Sequence, residues 1–230
     1  MQTTSDIYTS IAAGDYWTEC RVVIDGAAFG EDRLLSVKTE QALFSDSPEI
    51  VTAVAGQITV ELLDPGVRFA RMAQIRPYVR ICNEEKQSEW LPQGVYFIDT
   101  REYREDPYGP GTLKLTGYDA MLQGERDCPM NRRWPAKDAD VLGDIAKAMG
   151  VSVDSRTTAM INRGYKIQLP TGYTCREVLG YIGAMYGGSF VVSDTGELRL
   201  VTAADIPRME KLLSDENGNP IEVGGVCILV

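Results

Sequence analysis

Apolar and polar residues alternate along the first half of the chain, and turn sequences interrupt the pattern at short intervals. Ile58, Val60 and Leu62 share one face of QITVELL, which stops at Asp64-Pro65-Gly66. CRVVIDGAAF (20–29) contains Asp25-Gly26, a typical hairpin turn. Further segments of this kind are RLLSVKTEQAL (33–43), RPYVRIC (76–82), GVYFIDTREYRED (94–106) and TLKLTGYD (112–119). Strands at this spacing, with no long helix between them, predict an antiparallel barrel or sandwich.

A helical period replaces the alternation in the second half. Apolar residues recur at helical spacing in ADVLGDIAKAMGVSV (139–153) and again in TCREVLGYIGAMYGG (174–188). Thr174 and Glu177 match the T-x-x-E pattern of a capping box at the start of the second helix. SFVVS and ELRLV follow as two predicted strands around the turn Asp194-Thr195-Gly196.

The two predicted helices resemble each other. When the second helix is shifted by 37 residues, so that residue 178 lies over residue 141, its apolar face and its glycine end align with those of the first helix. The matching residues are Val178, Leu179, Gly180, Ile182, Gly187 and Ser189 with Val141, Leu142, Gly143, Ile145, Gly150 and Ser152. This indicates two copies of one helix-then-strand unit. The alternative is that any amphipathic helix ending in glycine would align in the same way.

These elements predict an α+β protein in which an antiparallel β-barrel domain precedes a small duplicated helix–strand/hairpin domain. Residues 1–19 form an N-terminal arm, residues 20–125 the barrel, and residues 126–204 the α+β region. Residues 205–230 begin a further β segment, and their apolar end, VCILV, suggests a strand that continues into a longer protein.

Composition removes several classes of chemistry. The chain has no histidine, which excludes Ser-His and Cys-His nucleophiles and imidazole metal sites. Its 23 basic and 33 acidic side chains give a net charge of −10, which argues against a surface for duplex DNA. No secretory signal or apolar span of membrane length is present, so we predict a soluble chain without membrane insertion. The five cysteines are Cys20, Cys82, Cys128, Cys175 and Cys227, and no pair has the spacing of a zinc site. We therefore predict that they are reduced thiols and mostly buried.

Several side chains are candidates for chemistry, and each has a simpler structural interpretation. Cys175 lies in a first helical turn, where a thiol pKa can be lowered, but a structural role is favoured because no histidine base is available. Asp99 with Glu102, or Glu105 with Asp106, could act as paired carboxylates, although a solvated surface is favoured among 33 acids.

Two loops are candidate binding sites. One is an acidic loop with Asp215, Glu216, Asn217 and Asn219. It lacks the residue spacing of a calcium-binding loop, so a plain turn is predicted. A basic cluster comprises Arg126, Arg132, Arg133 and Lys137 beside Trp134. Such a cluster could contact phosphate. A charged crossover loop, or salt bridges to an acidic partner subunit, is the favoured interpretation. The sequence therefore predicts no enzyme and no catalytic, cofactor-binding or metal residues.

Three segments together resemble phage tail hub proteins, the baseplate or tail-tip family that includes the late control protein D type. TLKLTGYDAML (112–122) resembles the last barrel strand of that family and the element after it, here Gly117 to Met121. Thr174 to Gly183 is similar to its T-x-R-E-V/I-L-x-x-I-A helix, which a glycine exit and a D-x-G-x-L hairpin follow. GVYFIDTRE (94–102) is similar to its G-x-F/Y-x-I strand, and the likeness covers most of residues 20–204.

The resemblance implies a homotrimeric ring that joins the tail tube to a spike or fibre and has no catalytic activity. Its partners would be other copies of itself and other tail proteins, and it would be made in the bacterial cytoplasm and reside in the virion tail. DNA could pass through such a ring without specific binding, and acidic walls would then repel it. The chain departs from the family by ending near residue 230, so a following peptidase or lysin domain is undetermined.

Two other functions remain open from the sequence. One is a carboxylate-dependent glycosidase acting on cell wall, which requires two facing acids in a cleft. The other is a carbohydrate- or receptor-binding module, in which exposed aromatic residues such as Trp90, Tyr103 and Tyr108 would line a groove.

Overall fold

The alternating segments form one antiparallel sheet in a computed structural model that describes residues 4–42 and 53–202, with the backbone of 222–223 and 226–227. A short helix, α1 (Asp6–Ala12), precedes the sheet. The strands are β1 (Trp17–Ile24), β2 (Ala27–Phe29), β3 (Leu34–Glu40), β4 (Gln57–Leu63), β5 (Gln74–Cys82), β6 (Leu91–Pro92), β7 (Tyr96–Arg104) and β8 (Thr112–Asp119). The predicted strand segments of this half are thereby confirmed.

Local sequence explains the hairpin and the buried face of this sheet. Asp25 and Gly26, between β1 and β2, have φ values of 49° and 85°, the two positive values that a type I′ hairpin turn requires. On β4, Ile58, Val60 and Leu62 are fully buried and alternate with partly exposed neighbours. The predicted turn and the predicted core face of β4 are both confirmed.

The sheet is open, which corrects the predicted barrel. Its strands follow the order β2-β1-β5-β7-β8-β4-β3, and β6 pairs with β5 at the side. Among the described residues nothing pairs β2 with β3, and a gap of about 270 Å³ lies between β1 and β3, bordered by Thr18, Cys20, Leu34 and Val37. The three-residue β2 covers only the end of β1. Alternation indicates which face is buried but not which edges meet, so closure could not be predicted from it.

The second half packs helices and short hairpins against one end of the sheet. A 3-10 helix (Ala120–Glu125) leaves β8 directly. The remaining elements are β9 (Ala136–Lys137), α2 (Asp138–Met149), α3 (Ser155–Met160), β10 (Lys166–Ile167), α4 (Cys175–Tyr186), β11 (Gly188–Val192), β12 (Leu198–Thr202), β13 (Glu222–Val223) and β14 (Val226–Cys227). β13 and β14 pair with each other. No helix in the described part of the chain is long and apolar enough to cross a membrane.

The predicted capping box of α4 is confirmed. The Thr174 hydroxyl accepts a hydrogen bond from the Glu177 N–H at 3.2 Å, and the Glu177 carboxylate accepts one from the Thr174 N–H at 2.8 Å. The apolar side of the helix then meets the core through Val178, Leu179 and Ile182, all buried. The predicted hairpin β11–β12 follows, with Gly196 at φ 86° in its turn.

The two helices are alike, but the segments that follow them differ. α2 and α4 both end at a glycine with positive φ, Gly150 at 75° and Gly187 at 69°. A hairpin follows α4, whereas the chain after α2 makes a single parallel bridge from Val153 to Leu198 and then enters α3. The duplication of a whole helix–strand unit therefore stays a prediction, as do the domain limits.

The outer edge of β12 is covered by the chain that follows α2. The Leu198 N–H donates to the Ser152 carbonyl at 2.8 Å, and the Leu200 N–H donates to the fully buried Thr157 hydroxyl at 2.8 Å. The Asp154 N–H returns a bond to the Leu198 carbonyl at 3.0 Å. This edge has thus lost most of its capacity to pair with another strand.

Apolar packing joins the sheet to the helical half. One cluster of buried side chains fills the sheet interior and includes Ile98 and Leu115. A second cluster lies among the helices and includes Ile145, Leu179 and Phe190. Phe97 of β7 packs against the second cluster, so the end of the sheet forms part of the helical core.

Candidate functional site

The chain leaves the sheet at Asp119, where the two halves are joined through one buried carboxylate. Asp119 is 4 % exposed and begins the 3-10 helix, and one of its oxygens accepts a hydrogen bond from the Met121 N–H at 2.8 Å. Its other oxygen accepts one from the Gly56 N–H, immediately before β4, also at 2.8 Å. A single side chain thus fixes the start of β4 and the exit from β8. The resemblance had marked this segment as a motif, but nothing in the sequence identified Asp119 as buried.

Gly117 in the same motif allows two strands to approach closely. A Cβ atom at this position would lie 2.7 Å from the Phe97 carbonyl oxygen of β7. Real side chains do not tolerate that distance, so a larger residue would push β8 away from β7. The glycine and the carboxylate therefore act on the same junction, one by close packing and the other by hydrogen bonding.

Burial dominates the electrostatics of the junction. It raises the pKa of Asp119 from 3.8 to about 6, against the opposing effect of the Gly56 and Met121 backbone donors. Burial also raises the pKa of Tyr96 to about 12. The negative charge of Asp119 contributes to the shift of Tyr96, whose hydroxyl donates to the Gln93 carbonyl at 3.1 Å.

We expect the contribution of Asp119 to stability to decline as pH rises from about 4 to about 6. Its folded-state pKa lies above its ordinary value, so the part of the contribution that depends on protonation is complete below about pH 4 and is lost above about pH 6. The hydrogen bonds from the Gly56 and Met121 N–H groups remain at neutral pH. The free energy of unfolding in urea is measured for the unmodified chain and for Asp119→Asn at several pH values between about 4 and about 6. The stability difference between the two proteins should fall by up to about 3 kcal/mol. A difference that does not vary with pH would contradict the assignment.

The candidate carboxylates lie on β7 and in the turn that follows it. The Asp99 carboxylate lies 3.4 Å from the Arg71 guanidinium, while Glu102 is exposed on β7. Glu105 is also exposed, and Asp106 accepts a hydrogen bond from the Tyr108 N–H within its own turn. These positions agree with the surface interpretation of the four acids.

Cys175 lies fully buried at the start of α4. Its N–H donates to the Arg126 carbonyl at 2.8 Å, and its thiol lies 3.6 Å from the Asp127 carbonyl oxygen. The neighbouring Cys175 thiol and burial raise the pKa of Cys128 well above its ordinary value. The four cysteines whose side chains the structure describes, Cys20, Cys82, Cys128 and Cys175, are free thiols, and Cys20 is the least buried of them.

The basic cluster is largely used within the chain. Arg132 forms ion pairs with Asp140, at 3.4 Å, and with Asp144, both on α2. The Arg126 guanidinium donates to the Ala148 carbonyl near the end of the same helix at 2.8 Å. The remaining members lie in the connecting loop or at the helix start; they are Arg133, Lys137 and Trp134. These contacts favour the crossover-loop interpretation over a phosphate site.

One of the three candidate aromatic residues borders a cavity. Tyr103 borders a cavity of about 550 Å³ together with Asp64, Val67, Phe69 and Arg101. Trp90 and Tyr108 lie outside that wall, and Tyr108 is 99 % exposed. A groove shared by Trp90, Tyr103 and Tyr108 therefore stays a prediction.

The acidic loop at Asp215, Glu216, Asn217 and Asn219 lies outside the described residues. Within the part of the chain that the structure describes, no group of three or more acidic or cysteine side chains is arranged to hold a metal ion.

The fold of the described chain is similar to that of solved tail proteins. One solved example is the 43 kDa tail protein of prophage MuSo2 from Shewanella oneidensis, with a TM-score of 0.52 and 14 % identity over 83 % of this chain. Another is the tail protein from Neisseria meningitidis MC58, with a TM-score of 0.52 and 13 % identity over 80 % of this chain. The match spans about half the length of these proteins, 56 % and 51 %. No family model and no curated protein matches the sequence.

Proposed function

We propose that this chain is a structural component of a phage or prophage tail, specifically a hub or tail-tip protein that joins the tail tube to a spike or fibre. The observation that carries the proposal is the shared fold with two tail proteins over 83 % and 80 % of the chain. Such a protein is made in the bacterial cytoplasm and resides in the virion tail. Its partners are other copies of itself, in a homotrimeric ring, and the adjoining tail proteins.

The edge strand β3 supports assembly through the sheet. β3 is seven residues long, ends the strand order, and leaves Leu35 50 % exposed. A free edge of this kind presents unpaired backbone groups to a neighbouring subunit, and head-to-tail contacts between subunits close into a ring. The net charge of −10 is compatible with a ring through which DNA passes, because acidic walls repel the DNA and do not bind it.

Analytical ultracentrifugation and tail purification test the proposal together. We expect a trimer of the purified chain, and we expect an epitope-tagged chain to be located at one end of isolated tail particles by immunogold electron microscopy. Leu35→Lys on β3 should weaken the trimer, whereas Val67→Lys, at a similarly exposed residue in the loop between β4 and β5, should leave it intact. Absence of the chain from purified tails, or a monomer with hydrolase activity on peptidoglycan, would overturn the proposal. The alternative of a wall-directed carbohydrate-binding or hydrolase module has no specific arrangement of the described residues in its favour.

A further inference from the structure

Two arginines and two aromatic rings form a stack on the outer face of β1 and β5. Arg21 lies opposite Tyr78 in the strand register, on the face of β1 that points away from buried Val22. Its guanidinium carbon is 5.1 Å from the centre of the Tyr78 ring and 4.4 Å from that of Trp90. The guanidinium carbon of Arg80 is 4.5 Å from the same Trp90 ring. We refer to these four residues as the arginine–aromatic ladder.

Only one of the two arginines has an anionic partner. The Arg80 Nη2 and Nε atoms lie 2.6 and 2.7 Å from one oxygen of Glu19, whose other oxygen accepts a hydrogen bond from the Trp17 indole at 3.3 Å. Glu19 is therefore engaged by Arg80 and Trp17. Among the described residues no carboxylate pairs with Arg21, and its buried Nε has no hydrogen-bond acceptor. The ladder thus carries one uncompensated positive charge within a chain of net charge −10.

The geometry prepares Arg21 for a carboxylate. Two rings hold the guanidinium, so little side-chain entropy remains to be lost when a ligand binds. Its planar fork fits a carboxylate with two hydrogen bonds, and water solvates it less strongly than an ammonium group. The ladder also consists of Trp, Tyr and Arg, the residue types that are enriched among the largest contributors to binding at protein interfaces.

The overall charge narrows the ligand class. A chain with ten excess negative charges repels phosphate chains, and a single free arginine cannot offset that repulsion. One carboxylate flanked by apolar groups meets less repulsion and can cover the Trp90 ring. We propose that the arginine–aromatic ladder binds an aspartate or glutamate side chain of a partner protein, with the partner's adjacent apolar side chains packed on Trp90. The inference depends on the ladder alone and not on the proposed role in a tail.

Two blocked pentapeptides test the inference directly, one with a glutamate between two leucines and the other with glutamine in its place. Binding to the full chain is followed by the NMR signals of the Arg21 Nε–H and the Trp90 indole at fixed low salt. We expect the glutamate peptide to bind about tenfold more tightly than the glutamine peptide. Arg21→Gln should abolish the preference, and Arg21→Lys should retain only part of it, because lysine lacks the planar fork.

Arg76→Gln is the matched control. Arg76 lies on the same face of β5 as Tyr78 and Arg80 but is exposed and donates to Gln74, so its replacement should leave the preference unchanged. Equal binding of the two peptides, no saturable binding of either, or a preference that survives Arg21→Gln would each overturn the inference. The assay needs no tail particle, so its failure and a failure of the proposed function would be seen separately.

Discussion

Replacing Gly183 by alanine should destabilise the fold by about 3 kcal/mol, although alanine is the better helix former. Gly183 lies on the buried side of α4, where the chain turns back into β11. A Cβ atom there would lie 2.6 Å from the Gly188 carbonyl oxygen, which is backbone and cannot rotate away. The helix and the strand must therefore separate, which disturbs the packing of Phe190 beneath them. Equilibrium unfolding in urea measures the loss.

Gly143→Ala provides the matched control for this substitution. Gly143 is also a mid-helix glycine, in α2, but it is exposed and an added Cβ would meet nothing within 4 Å. Its replacement should stabilise the protein by up to about 1 kcal/mol, because alanine has the higher helix propensity. If both substitutions changed stability in the same direction and by similar amounts, the close approach at Gly183 could not be the cause.

Replacing Asp119 by alanine should cost about 4 kcal/mol at neutral pH. The substitution removes the acceptor of two buried donors, the Gly56 and Met121 N–H groups, for which the described residues offer no other. Each buried donor left without an acceptor costs about 1–3 kcal/mol, and water cannot readily reach this site. The loss should appear as a lower urea midpoint with an unchanged slope, provided that unfolding remains two-state.

Asp106→Ala is the corresponding control. Asp106 also accepts a hydrogen bond from the N–H two residues later, that of Tyr108, at 2.9 Å. It is exposed, so water replaces the lost acceptor and stability should change by no more than about 0.5 kcal/mol. Similar costs for both substitutions would mean that burial of the Asp119 junction does not matter.

Features that depend on a few neighbouring residues were predictable from the sequence. The Asp25-Gly26 hairpin, the capping box of Thr174 and Glu177, and the glycine end of α4 each follow from local backbone and side-chain chemistry. The segment around Asp119 and the sequence of α4 also indicated the likeness to tail proteins.

Features that depend on distant segments were not predictable in this way. Whether β2 meets β3 is decided by strand lengths and edge positions, which alternation does not encode, and the barrel prediction failed for that reason. The spacing of Gly183 and Gly187 gave no indication that β11 would pack against Gly183. At the aligned position in α2 the residue is Ala146, which is tolerated because no strand folds back directly behind that helix. The sequence suggested Trp90 as an exposed ring that could bind sugars. It did not show that Arg21 of β1 and Arg80 of β5 lie against that ring.

The covered edge of β12 has a consequence for how the second half of the chain becomes ordered. Thr157 and Leu200 are joined by a hydrogen bond across 43 residues, and the bridge between Val153 and Leu198 spans a similar interval. Neither contact can form until α4 and its hairpin have brought the chain back, so α3 has no fixed position before that return. We therefore expect the backbone amides joined across this edge, those of Asp154, Leu198 and Leu200, to exchange with solvent together.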